Sequence, residues 1–156
     1  MNAYLWLKLA HIVSSTLLFG TGLGTAFYLW RADRAGDVRV IAAVAREVVR
    51  ADFWFTTPAV IAQPLTGLAM MHLAGYPFDT PWILASVVLY VLVGACWLPV
   101  VWIQLQVARE AERAARAGLA LPPSHRRRMR LWYALGWPAF LGVIAIFVLM
   151  VFKPAF

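Results

Sequence analysis

Thiols, imidazoles and carboxylates are all scarce in this chain, and each shortage removes a class of chemistry. The single cysteine, Cys96, lies in an apolar run. It cannot form an intramolecular disulfide, it leaves the redox compartment open, and it reads as a small residue at a helix contact. No nucleophile, base and acid occur as a set, and no paired carboxylates or acidic relay stand inside the apolar runs. Hydrolysis and ion-coupled transport therefore lack their usual parts. Redox chemistry carried by a bound cofactor stays open, because the protein then need only orient and ligate it.

The most informative shortage is of charge. Residues 10–30, 53–78, 80–108 and 131–152 contain no Asp, Glu, Lys or Arg. Each run exceeds the roughly 20 apolar residues that carry an α-helix across a hydrocarbon core of about 30 Å. With 156 residues, 63% of them hydrophobic, the chain is taken up by these runs and their connections. The expectation is an all-α protein: one domain over residues 1–156, a four-helix transmembrane up-down bundle. The first run has no basic segment before it and is longer than the apolar part of a signal peptide, so it is expected to stay in the membrane as the first helix.

What charge there is falls unevenly. Of 14 basic residues, twelve are arginines in two connections: Arg31, Arg34, Arg39, Arg46 and Arg50 in residues 31–52, and Arg109, Arg113, Arg116, Arg126, Arg127, Arg128 and Arg130 in residues 109–130. The connection around Tyr76, Pro77 and Asp79 has none. Positive charge marks the cytoplasmic side, so both arginine-rich connections are expected there and both termini outside. The same placement explains the net charge of +7 without nucleic acid, and the basic clusters suit anionic lipid headgroups. Trp6, Trp30, Trp54, Tyr76, Trp82, Trp132 and Phe156 fall at span ends as an aromatic belt. Trp97, Trp102 and Trp137 lie deeper and are expected to pack between helices.

Within the first connection, Val40 or Ile41, Val44 and Val48 recur at helical spacing, which predicts an amphipathic helix at the headgroup level. In the second, Gly118, Pro122 and Pro123 break a helical run over residues 108–117. Gly20, Gly22 and Gly24 form a small-residue face suited to close helix packing rather than to phosphate binding. Pro58, Pro64, Pro99 and Pro138 are expected to kink their helices.

Three histidines exist. His125, among arginines, reads as a solvated residue. Antiparallel threading puts His11 and His72 at similar depth in the outer half of the bundle, where two imidazoles on facing helices could ligate a haem iron or a metal. The alternative is that they only hydrogen-bond neighbouring helices. Two nitrogens are too few for a closed zinc site. Lys8, three residues before His11 on the same face, and Lys153 either snorkel to the headgroups or meet propionate carboxylates. Gln63, an amide deep in a span, needs a partner such as Thr66, Ser15, Thr16 or a ligand.

Tyr4-Leu5-Trp6-Leu7-Lys8-Leu9-Ala10-His11-Ile12, Phe27-Tyr28-Leu29-Trp30-Arg31, Thr57-Pro58-Ala59, Thr66-Gly67-Leu68, Pro81-Trp82, Trp97-Leu98-Pro99-Val100-Val101 and Lys153-Pro154 span nearly the whole chain. Together they resemble an uncharacterised bacterial family of predicted four-span integral membrane proteins. More distantly they are similar to HemJ-type protoporphyrinogen oxidases, four-span haem b proteins. There a Trp-Leu-Lys-x-x-His-Ile opening supplies a haem-ligand histidine, matched by His11, and a Lys-Pro close is matched by Lys153 and Pro154. Two departures are plain: the Phe-Tyr-Leu-x-Arg landmark comes about one helical turn later, and the acidic residue near the start of that family's last span is missing around residues 132–138. The resemblance implies a haem b protein of the bacterial inner membrane, an oxidoreductase in porphyrin or quinone-linked electron transfer, with His11, Lys8 and Lys153 around the cofactor; His72 joins them by its matching depth. The alternative is a non-enzymatic membrane protein, structural or accessory to a partner complex.

Overall fold

The computed structural model describes residues 2–154, and every regular element among them is helical. The order is α1 (Ala3–Ala35), α2 (Val38–Ala51), a π-helical turn (Asp52–Thr56), α3 (Thr57–Leu73), α4 (Pro81–Ala117) and α5 (Pro123–Phe152). Among the described residues three helices, α1, α4 and α5, are long and apolar enough to cross a membrane. The run at residues 53–78, expected as a fourth, is split by the π-turn and leaves α3 with 17 residues. The cause is local. Pro58 has no N–H to give the preceding turn, and its ring crowds the carbonyl four residues back, so the ladder widens and Thr57 N–H reaches Asp52 O instead.

α4 has 37 residues, or about 55 Å at 1.5 Å per residue. It overshoots any hydrocarbon core, and the overshoot is used. α2 packs on the arginine-rich end of α4 and on α1. Asp37 caps α2 by accepting from the N–H groups of Arg39 and Val40, and Gly36 turns the corner from α1 at φ 73°, a left-handed conformation suited to glycine. Ile41, Ala45 and Val48 of α2 are buried, so its apolar face meets protein rather than the headgroups that its amphipathic pattern suggested. The main core joins Leu29, Ala45, Val48, Val100, Ile103, Val107, Met129 and Trp132. It sits at the arginine-rich end, where water can drive apolar burial; between helices in lipid that drive is missing.

Away from this end the helices pair off, α1 on α3 and α4 on α5. Phe19 bridges the pairs, 5.0 Å from the ring of Phe140 and 5.4 Å from that of Phe147. Several aromatic expectations are corrected. Trp132 is buried in the core rather than in a belt, and Trp102 and Trp137 are 57% and 66% exposed. Trp102 turns its ring outward from α4, while Trp137 borders the space left between the helix pairs instead of a close helix contact. Phe156 lies outside the described residues.

Candidate functional site

The separation of the two helix pairs leaves a cavity of 770 Å³ between them. Its wall runs along α1 from Ser15 to Arg34, about 28 Å at 1.5 Å per residue. Aliphatic and aromatic side chains dominate it, among them Phe19, Phe140, Phe147, Trp97 and Trp137. Gly22 borders the cavity, and a β-carbon placed on Gly20, Gly22 or Gly24 would meet nothing within 4 Å. The glycine face expected to admit a close-packed helix therefore admits open space. Close approach occurs at Gly67 instead, where an added β-carbon would lie 3.4 Å from His11 Cε1.

Polar groups gather at the arginine-rich end of the cavity: Arg34, Asp52, Thr56, Gln104 and Tyr133. Thr56 donates to Asp52 Oδ1 at 2.8 Å, and the Gln104 side chain stands close enough to act on this carboxyl. Asp52 precedes the apolar run, yet it is only 6% exposed. Burial pushes its carboxyl above the ordinary carboxylate range, against the smaller opposing effect of these two neighbours. Midway along the cavity Tyr90 donates its hydroxyl to the Val60 carbonyl, joining α4 to α3.

His11 lies in the α1–α3 contact. Its Nδ1 is 2.8 Å from Thr66 Oγ1, and Thr66 in turn donates to the Ala62 carbonyl at 2.6 Å. With the hydroxyl proton so used, Nδ1–H must be the donor, which leaves the lone pair of a neutral ring on Nε2. Gln63 Nε2 donates to His11 O at 2.7 Å and to Ser14 Oγ at 2.5 Å. The amide thus finds its partner one residue before the serine expected. His72 is exposed in the last turn of α3. Six residues beyond Thr66, it stands about 9 Å further along the axis and some 240° round it, and the two histidines share no hydrogen-bond network among the described residues.

Lys8 is exposed. Lys153 caps α5 with φ 44° and places Nζ 5.8 Å from the Tyr76 ring and 5.4 Å from the Trp82 ring. Those rings meet edge to face at 5.6 Å, so the lysine closes the arginine-free end by cation–π attraction.

His125 is the largest departure from expectation. It is 6% exposed, and its Nε2 lies 2.8 Å from Asp33 Oδ1. Tyr133 donates to Asp33 Oδ2 at 3.3 Å. A histidine among arginines looked solvated, but α5 begins against the end of α1 and covers it.

These positions test the haem b that the resemblance implies. Nε2 of His11 has the lone pair an iron ligand needs, with its partner nitrogen fixed by a hydrogen bond. The cavity, however, is lined by no histidine, cysteine or methionine among the described residues. The ligand nitrogen and the volume large enough for a porphyrin lie in different places, so the cavity does not fit haem b. Nor do three or more His, Cys, Asp or Glu side chains converge on a metal position among the described residues.

Against known proteins, a family model described as a predicted integral membrane protein (DUF2269) matches residues 5–154, and the chain belongs to that family. No curated protein and no solved structure matches it.

Proposed function

We propose that this member of the predicted integral membrane protein family DUF2269 is a four-span protein of the bacterial inner membrane that holds a long apolar molecule with one polar end, of the isoprenoid quinone type. In this reading residues 53–78 form the fourth span, with Asp52 just outside it, the arginine-rich end is cytoplasmic and both termini lie outside. The observation that carries it is the cavity. Its 770 Å³ falls in the usual range for small-molecule sites, which are mostly apolar with a few placed polar groups. Its length suits a chain lying along the membrane normal. Trp30, Trp97 and Trp132 stand toward the polar end, where flat aromatic faces suit a ring headgroup.

The test uses those tryptophans. A decyl quinone titrated into the purified protein in nanodiscs is expected to quench tryptophan fluorescence saturably at one molecule per chain. Gly22→Phe and Gly94→Phe fill cavity wall where a β-carbon meets nothing, so they should abolish saturation without lowering the melting temperature. Quenching that never saturates, or that survives both substitutions, overturns the proposal.

A second reading, haem b held by His11 at the α1–α3 contact and outside the cavity, is favoured by one observation, the Nε2 opposite the Thr66 hydrogen bond. It predicts a coloured protein with a Soret band and dithionite-reducible α and β bands, both lost in His11→Ala. A colourless protein leaves His11 its interhelical hydrogen bond alone.

A further inference from the structure

The Asp33, His125 and Tyr133 side chains form one hydrogen-bonded chain across two helices. His125 stands at the start of α5, beside the arginine-rich surface, while Tyr133 is part of the cavity wall. Asp33 joins them, each carboxylate oxygen taking one partner. Structural pinning of α5 on α1 would need only one of these bonds. It would not need the far member to open on the cavity, nor the near member to keep a buried nitrogen idle. Among the described residues His125 Nδ1 is buried with no hydrogen-bond partner, a costly arrangement for a polar atom in a folded interior.

We propose that His125, Asp33 and Tyr133 are a proton path between the cytoplasmic surface and the polar end of the cavity, and that the bound molecule therefore has a head group that exchanges a proton, such as a quinol or another ring hydroxyl. The proposal rests on the cavity being a ligand site. The steps balance in protons. In the resting state Nε2–H donates to Asp33, because a carboxylate can only accept, so Nδ1 has the lone pair. Because Nδ1 is buried, the proton is delivered by a water admitted as the first turn of α5 opens, and it makes an imidazolium that the Asp33 charge stabilises, as a carboxylate does for a catalytic histidine. The Nε2 proton passes to Asp33, which turns its acid proton to the Tyr133 oxygen as the phenol gives its own to the ligand. One proton enters and one leaves. The ring is left protonated on Nδ1 and resets by exchanging that proton for one on Nε2, the ordinary cycle of a histidine shuttle.

Few other charges act on this chain. Arg34, next to Asp33 and itself on the cavity wall, stands close enough to act on Tyr133. On the α4 side, Ser124 beside His125 bonds Glu110, whose charge is met by Arg128.

The test uses the full chain in nanodiscs with an alkyl-substituted hydroxynaphthoquinone, whose visible absorption reports ionisation of its ring hydroxyl. After a stopped-flow drop in pH, the bound anion should be protonated within the mixing time in wild type. In Tyr133→Phe and Asp33→Asn, protonation should slow by about tenfold or more, in keeping with the contribution of a positioned proton donor, while probe affinity changes little. A role confined to holding α5 on α1 would move melting temperature and affinity but not this rate. Should Asp33→Asn fail to fold, Tyr133→Phe decides, since it removes one hydrogen bond of 3.3 Å and keeps the ring. Equal rates in wild type and in the folded variants overturn the path and leave the ligand site standing. A probe that does not bind overturns both.

Discussion

His125 Nε2 lies 2.8 Å from Asp33 Oδ1, although 92 residues separate the two in sequence. Truncating Asp33 strands His125 in a buried setting and truncating His125 strands Asp33 in a half-buried one, which costs up to about 1–3 kcal/mol. Asp33→Ala and His125→Ala should each lower the melting temperature in detergent, and the double variant should lose clearly less than the sum. Additive losses would show that the pair is not coupled.

Two glycines give opposite forecasts for the same substitution. At Gly142 an added β-carbon would lie 2.5 Å from Val93 Cγ2, so Gly142→Ala should force α4 and α5 apart at a cost of about 1–3 kcal/mol. At Gly22 it meets nothing, and alanine there should be neutral or slightly stabilising, as helix propensity predicts. Melting curves of the two variants should diverge; equal losses would argue against the open cavity wall.

Asp52 supplies the pH dependence. Its carboxyl is raised in the fold by burial, so the folded state holds that proton more tightly than the unfolded chain does. The resulting stability is complete below the unfolded value of about 3.9 and is lost as pH rises through the folded value. Asp52→Asn should therefore be more stable than wild type at high pH, with the advantage shrinking toward acid, when followed by thermal unfolding across pH. A constant difference at all pH would show that Asp52 does not titrate with folding.

Orientation is open to direct test. With Cys96 replaced by serine, Asp79→Cys in the arginine-free connection should react with a membrane-impermeant maleimide in intact cells, whereas a cysteine at Arg116 should react only after permeabilisation. The reverse pattern would invert the topology.

How much of this was legible in the sequence depends on the range of the interaction. Charge-free runs gave the helices of α1, α4 and α5 because helix formation and lipid solubility are properties of the run itself. Gly118 and Pro122 likewise marked the end of α4 and the approach to α5. The amphipathic pattern of α2 was visible, but not that α4 would cover its face. Asp33 and His125 each sit among arginines, the usual signature of a solvated segment, and their pairing across α1 and α5 leaves His125 buried and Asp33 half-buried. Gln63 signalled that it needed a partner without saying which turn of α1 would face it, because rotation about a helix axis leaves no trace in composition.

The π-turn at Asp52–Thr56 has a consequence for the angular phase of the chain. One residue more than an α-helical turn requires is spent there, which rotates everything after it by about 100° relative to what precedes it. α2 can thereby aim Ile41, Ala45 and Val48 at one set of neighbours while α3 aims Gln63 and Thr66 at another. A single-residue deletion in this turn, combined with Pro58→Ala to return the missing N–H, would restore an unbroken α-helix and force the two faces into one clock setting, so that docking α2 would swing Thr66 out from under His11.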